Sequence, residues 1–299
     1  KRFVGSLRAT GYKDDIVLAT SPIHKMKPGV ENYLRTNRVL SYGFGYGCKK
    51  KGGRRLLVTP AGCTLTDWHE GGVDPRGPRP LALIRYEFYE QWLKSYSEQS
   101  WFLILDTRDT IFQRNPFAPD VLDRTLPVDL HLFEENRQVK WVGQCPFNSA
   151  WLACWGRDVP KRYTNNSVVC SGSTLGPAHG VRTYVDGMLK EMDSQQCHVK
   201  RGTESDQGYH NYLQDTGYWI KQGLRVKSNA QGTGVVNTIG AMNGHRVPKH
   251  MKGRLDDFWK ARDAEGYIIN WDGTRSPVVH QWDRFAKELL KWIDRTVAH

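Results

Sequence analysis

The stretch Trp101-Phe102-Leu103-Ile104-Leu105-Asp106-Thr107-Arg108-Asp109 decides the fold class. Five apolar residues in a row are what a central strand buried on both faces requires. The run stops at Asp106, and Asp109 follows three residues later. In open α/β sheets, ligands bind in the crevice at the carboxyl ends of the strands, so a carboxylate there is a functional candidate by position alone. Upstream, Leu81, Ile84, Tyr89, Trp92 and Leu93 approximate one apolar face and predict a helix over 81–96.

Working outward, short apolar runs alternate with helical patterns. Strands are expected at 16–19, 56–58, 129–133, 168–170 and 267–269, and helices at 181–192, 206–213 and 283–297. Glycine- and lysine-rich 43–53 and the weakly periodic 218–247 read as loops, and Lys1 to Arg8 as a helix. The expected fold is α/β: a mixed, mostly parallel central sheet flanked by helices, in one unit over residues 1–299.

Composition is ordinary for a globular chain: 299 residues, 39% hydrophobic and 25% charged. No segment approaches the roughly 18 consecutive apolar residues that span a bilayer, and no basic-then-apolar start resembles a signal peptide. The net charge of +12 suits anionic partners. The basic residues are scattered, except at Lys49-Lys50-Lys51 and Arg54-Arg55, and no nucleic-acid recognition motif is visible, so nucleic acid is not expected as a partner. The six cysteines include no Cys-x-x-Cys pair. They permit up to three disulfides, as in a secreted or luminal protein, or buried free thiols. The sequon Asn165-Asn166-Ser167 is expected by chance and decides nothing.

Asp106 and Asp109 carry oxygen ligands of the kind that Mg²⁺ and Mn²⁺ take, one or two carboxylates completed by substrate phosphates. Read blandly, the stretch is a surface turn with an i,i+3 pair and an N-cap. Downstream, Cys170-Ser171-Gly172-Ser173 ends a short strand in a small-residue loop that lets backbone approach a ligand. Glu204-Ser205-Asp206-Gln207 opens a helix, with Ser205 as N-cap and Asp206 favourable to the dipole. Ser276 to Arg284 places His280 at the end of a late apolar run.

The segment from Asp106 to Phe117, DTRDTIFQRNPF, resembles the Asp-x-Asp region of GT-A glycosyltransferases, with an Asp-x-Arg-Asp spacing because Arg108 stands where the second Asp would fall. The resemblance runs in order from about Asp15 to Asp283. It implies a GT-A, Rossmann-like fold, a nucleotide-sugar half at about 1–125 and an acceptor half at about 126–299. It implies Mn²⁺ or Mg²⁺ held directly by Asp109, with Asp106 as a supporting ligand and His280 as the third. It implies donor contacts from Arg85, Asp106, Thr107, Arg108, Gly172 and Ser173, and catalytic roles for Asp206 and Gln207 in a retaining transfer. The donor would be a UDP- or GDP-linked sugar, and the acceptor a hydroxyl on a glycan or glycoprotein. Trp141, Trp151 and Trp155 read either as an acceptor platform or as core. The usual setting is the Golgi or secretory lumen behind an N-terminal anchor that this chain lacks, with a cytosolic enzyme as the alternative; Lys1 to Arg8 reads as the helix after the usual first strand, which is either absent from the chain or replaced by another segment. Two other classes remain open at this level: a metal-dependent phosphohydrolase or nuclease, and a non-catalytic carbohydrate- or polyanion-binding domain.

Overall fold

The computed structural model describes residues 1–48, 63–66, 74–194, 205–242, 262–285 and 287–296. The expected strand at 56–58 and the basic cluster at 49–55 lie outside the described residues. The strands are β1 (Ile16–Thr20), β2 (Val39–Gly43), β3 (Tyr46–Cys48), β4 (Cys63–Leu65), β5 (Trp101–Leu105), β6 (Thr110–Phe112), β7 (Leu130–Glu134), β8 (Val169–Pro177), β9 (Val226–Asn229), β10 (Val236–Thr238) and β11 (Val278–His280). The helices are α1 (Arg2–Ala9), α2 (Val30–Thr36), α3 (Leu81–Leu93), α4 (Pro146–Leu152), α5 (Val159–Arg162), α6 (Ala178–Ser194), α7 (Asp206–Asp215), α8 (Tyr218–Lys221) and α9 (Lys287–Thr296). The fold is mixed α/β, and no described helix is long and apolar enough to cross a membrane.

Four strands form the largest sheet, in the order β5-β8-β7-β9. β8 runs antiparallel to both β5 and β7, and β7/β9 is the parallel pair. The β1/β2 and β10/β11 pairs are parallel, while β6 meets β11 antiparallel. A mostly parallel central sheet is therefore not what the described strands form. The nine-residue strand β8 accounts for this, because it lies between β5 and β7 and opposes both.

The two inner strands, β8 and β7, are buried at every residue but their last, whereas β5 is an edge strand buried at Leu105 and half-buried elsewhere. β5 is apolar because both its faces meet hydrophobic clusters. Phe102 and Ile104 pack with Tyr86, Leu132, Tyr184, Met188 and Trp219, under α3, α6 and α7. Trp101, Leu103 and Leu105 face Leu7, Ile16, Phe112, Phe133 and Val278 on the other side. Each fully buried large side chain contributes about 1.5–3 kcal/mol. β8 can be central with Ser171, Ser173 and Thr174 because small side chains let helices pack close. Gly180 on α6 approaches Asp129 O so nearly that a Cβ there would overlap the backbone.

Other expectations shift in detail. α3 stops at Leu93 rather than residue 96, and its buried residues split between the sheet-facing Leu83 and Tyr86 and Ile84, which meets Cys63 and Leu65. Within 218–242, expected as loop, the chain forms α8, β9 and β10. Segment 267–269 makes isolated bridges to Arg262 and Arg275 instead of a strand. The last helix begins at Lys287 rather than 283, after a 3₁₀ turn over Trp282–Arg284. Cys48 and Cys63 form a disulfide across the β3/β4 pair, and Cys154 is disulfide-bonded as well. Cys145 and Cys170 are buried and free, so three disulfides do not form.

Candidate metal centre

The loop after β5 is fixed at both ends. The Asp106 backbone N–H donates to Gly172 O on β8 at 3.0 Å, and Thr110 Oγ1 donates to Asp106 O at 2.6 Å. The chain then enters β6, whose Thr110 stands opposite His280 of β11. The Gln281 N–H donates to Asp109 O at 2.8 Å. Strand pairing thus brings together two residues 171 positions apart (280 − 109).

Asp106, Asp109 and His280 each offer a ligand atom within 4.8 Å of the others. Asp109 Oδ1 and His280 Nε2 lie 3.6 Å apart, too far for a hydrogen bond. Neither atom has a hydrogen-bond partner among the described residues, although both side chains are buried. A buried polar atom left unmatched costs about 1–3 kcal/mol, so such atoms call for an explanation. Ligands around an octahedral ion at about 2.1 Å stand roughly 3.0–4.2 Å from one another, which matches this separation. Gly172 forms the wall opposite. A Cβ there would sit 2.7 Å from both Asp106 Oδ2 and His280 Cε1, so no larger residue fits without moving a ligand.

The electrostatics are coupled. Burial opposes ionisation of Asp109, yet His280 and then Arg108 hold its carboxyl below the usual range. Burial alone would strip the proton from His280, but Cys170 and Asp109 together push it up to about 10.

Arg85 comes from α3 and is the pivot of the site. Its terminal nitrogens pair with Asp106 and Asp206, and one also donates to Ser171 O at 3.2 Å. Burial opposes its charge, but the two carboxylates outweigh burial and keep it a cation. Asp206 is buried in the first turn of α7, whose N-cap Ser205 accepts from the Gln207 N–H. Tyr86 OH donates to Asp206 Oδ2 at 3.4 Å. Gln207 points its amide at β8. Its Oε1 accepts from the Ser171 N–H and hydroxyl at 2.9 and 3.0 Å, and its Nε2 donates to Val169 O at 2.9 Å. That amide clamps α7 to the sheet.

Thr107 and Arg108 are exposed, and Arg108 lies 3.5 Å from both Asp109 and Asp283. Ser173 is fully buried opposite Leu105, and its Oγ has no hydrogen-bond partner among the described residues. Arg85, Asp106 and Thr107 line a cavity of about 760 Å³ that residues of β1 and β5 also line, with Tyr89, Trp92 and Trp101 on its walls. Trp155 belongs to the core: it stacks on Tyr212 at 4.2 Å and bonds Glu191. Trp151 backs onto Gly208, next to Gln207, and Trp141 bridges to Ser167.

Two participants escape sequence reasoning. Cys170 Sγ lies 3.7 Å from His280 Nδ1. Gln281 adopts left-handed backbone at φ 63°, rare for a non-glycine residue. Neither has a local sequence signal; only the meeting of β8 with β11 makes them neighbours. A scan against protein-family models finds no match, and a search among curated proteins finds no significant relative.

Proposed function

We propose that this chain is the catalytic domain of a metal-dependent glycosyltransferase of the GT-A type, with the nucleotide-sugar half at about 1–125 and the acceptor half at about 126–299. One observation carries the reading. Asp109 Oδ1 and His280 Nε2 are unmatched and 3.6 Å apart, with Asp106 beside them on a cavity large enough for a substrate. The cavity's roughly 760 Å³ falls in the range of about 300–1,000 Å³ usual for ligand sites.

Two carboxylates and one imidazole fit Mn²⁺ well and Mg²⁺ less well, because imidazole suits the softer ion. Bound there, the cation would neutralise charge developing on the diphosphate of a UDP- or GDP-linked sugar as it leaves. The remaining chemistry belongs to the chain. Tyr89, Trp92 and Trp101 offer ring faces to a nucleobase. Thr107 and Arg108 stand exposed on the acidic loop, where a fork of N–H donors suits phosphate. Gly172 would keep space beside Asp106 and His280, while Ser173, fully buried, would support that wall from behind. Asp206 is one guanidinium away from Asp106 and is the carboxylate proposed to act at the anomeric centre in a retaining transfer to a glycan or glycoprotein hydroxyl. Gln207 contributes by holding Asp206's helix on β8. The Cys48–Cys63 disulfide supports an oxidising compartment such as the Golgi lumen. Nucleic acid is not a proposed partner.

The test is incubation with a panel of UDP- and GDP-sugars plus Mn²⁺. The expected result is slow donor hydrolysis that EDTA stops. Metal-dependent phosphodiester cleavage without donor turnover or binding would replace this reading with a phosphohydrolase. Glycan binding without any turnover would replace it with a carbohydrate-binding domain.

A further inference from the structure

We infer that Cys170 is a positioning residue of this site: its sulfur takes the Nδ1–H of His280 and thereby presents Nε2 to the cation. The inference rests on the metal reading above.

The two ring nitrogens of His280 face different partners. Nε2 looks toward Asp109 Oδ1 at 3.6 Å, and Nδ1 toward Cys170 Sγ at 3.7 Å. An imidazole that binds a metal through Nε2 keeps its proton on Nδ1, and that proton needs an acceptor to fix both tautomer and ring orientation. His280 is fully buried, so water does not supply one. The atom in place is Cys170 Sγ. Its accepting role is reinforced from a second side, because Gln281 Nε2 donates to the same sulfur at 3.5 Å. An amide nitrogen has no lone pair to offer, so the sulfur is the acceptor in that contact.

The backbone supports this arrangement. Gln281 holds its left-handed conformation while its N–H is tied to Asp109 O, and the resulting turn sends its side chain back to Cys170. Strain of this kind persists where surrounding contacts over-determine it, and it clusters at functional sites. Cys170 itself is fixed on β8, two residues before Gly172, the residue whose missing side chain gives the ring its space. The ligand cluster comprises Asp106, Asp109 and His280, with the thiol on the far nitrogen of the ring, so its effect runs through His280.

The test is Mn²⁺ titration of the full chain, following free Mn²⁺ by electron paramagnetic resonance, with melting temperature measured alongside. Cys170→Ala is expected to weaken Mn²⁺ binding about tenfold or more, the range for partners that orient a metal-bound histidine. Cys170→Ser keeps an acceptor and is expected to restore most of that loss. Cys145→Ala removes the other buried thiol, which touches Asn148 instead, and is expected to leave binding unchanged. Unaltered binding in Cys170→Ala overturns the inference, as does equal weakening in the Ala and Ser variants in step with their melting temperatures. A thiolate-to-metal absorption band in Co²⁺-loaded protein also overturns it, by making Cys170 a ligand. If Asp109→Asn and His280→Ala still bind Mn²⁺ as wild type does, the metal reading fails and takes this inference with it. If those two lose binding while Cys170→Ala keeps it, only the role of Cys170 falls.

Discussion

His280 and His210 are both fully buried imidazoles whose Nε2 lacks a hydrogen-bond partner among the described residues, yet the protein pushes their protonation in opposite directions. His280 is raised to about 10, because Cys170 and Asp109 outweigh burial. His210 is lowered to about 3, because burial is joined by the nearby Arg85 cation. His210 Nδ1 faces Tyr184 OH at 2.8 Å, and that hydroxyl meets Tyr86 OH at 3.1 Å, which in turn reaches Asp206. An unmatched nitrogen is therefore not in itself a site. What distinguishes His280 is a second unmatched atom, on a carboxylate, at a separation that one cation can bridge.

The sharpest way to break this comparison is to remove each partner in turn. Asp109→Asn and His280→Ala are each expected to weaken Mn²⁺ binding by more than about a hundredfold, beyond what loss of an orienting partner costs. His210→Gln is expected to leave Mn²⁺ affinity unchanged. Calorimetric titration reads all three, and a His210 variant that loses the ion would erase the distinction.

A slightly smaller effect concerns acid. An exposed imidazole takes a proton near 6.5, whereas folded His210 stays neutral down to about 3. Between those values the unfolded chain binds more protons, so stability falls as pH drops through that window. The full shift corresponds to on the order of 5 kcal/mol. His131, lowered to about 4 by burial and by Lys227, acts in the same sense. His280 has the opposite sign in the metal-free protein: its contribution is complete below about 6.5 and is lost as pH rises through about 10. Urea midpoints are expected to fall steeply in wild type as pH drops from 7 to 3 and more gently in His210→Gln, with His131 supplying the remaining slope.

The seam between α7 and β8 provides a third contrast, since its amides are matched. Asn211 Oδ1 accepts from the Val169 N–H at 2.9 Å, beside the three bonds of Gln207. Gln207→Ala leaves the buried Ser171 N–H and hydroxyl without their acceptor, a loss of about 2–6 kcal/mol at roughly 1–3 per group. Mn²⁺ affinity is expected to stay close to wild type. A variant with native stability and abolished transfer would instead give the Gln207 amide a direct catalytic role.

How much of this was legible in the sequence follows from the physics of each segment. The end of the apolar run at Asp106 and the helix start at Ser205-Asp206 are local signals, and both hold. The pairing of Asp109 with His280 could be expected only from the order of the motifs, and strand register produces it. β8 was not legible as the central strand, because hydrophobicity marks only its first residues, while Ser171, Ser173 and Thr174 are buried through close packing. β5 looked central because both its faces are covered, but coverage of faces says nothing about pairing at its edges. Gln207 reads the same in sequence whether its amide serves a substrate or a strand. Cys170 carried no signal at all until β11 was laid beside it.

The smallest expected effect tests the space that separates the two kinds of histidine. Gly172 lies against Asp106 and His280, and an added Cβ would come within 2.7 Å of each. Overpacking of this kind costs about 1–3 kcal/mol, and Asp106, whose side chain is 40% exposed, can yield more readily than buried His280. Gly172→Ala is therefore expected to lower stability by about 1 kcal/mol. It should displace Asp106 from the cluster and leave the Asp109–His280 pair in place. Mn²⁺ affinity should fall by several-fold, less than for Asp109→Asn, because one supporting carboxylate is moved and none is removed. Gly187→Ala on α6 is the matched control, since its Cβ would meet Tyr218 and Trp219 at 2.6 Å, and the Trp219 ring packs on Tyr184, the partner of His210. It should cost stability without touching Mn²⁺ affinity. If both glycine variants weaken the ion equally, the effect travels through global stability, and the cluster around His280 loses its claim to be built for a cation.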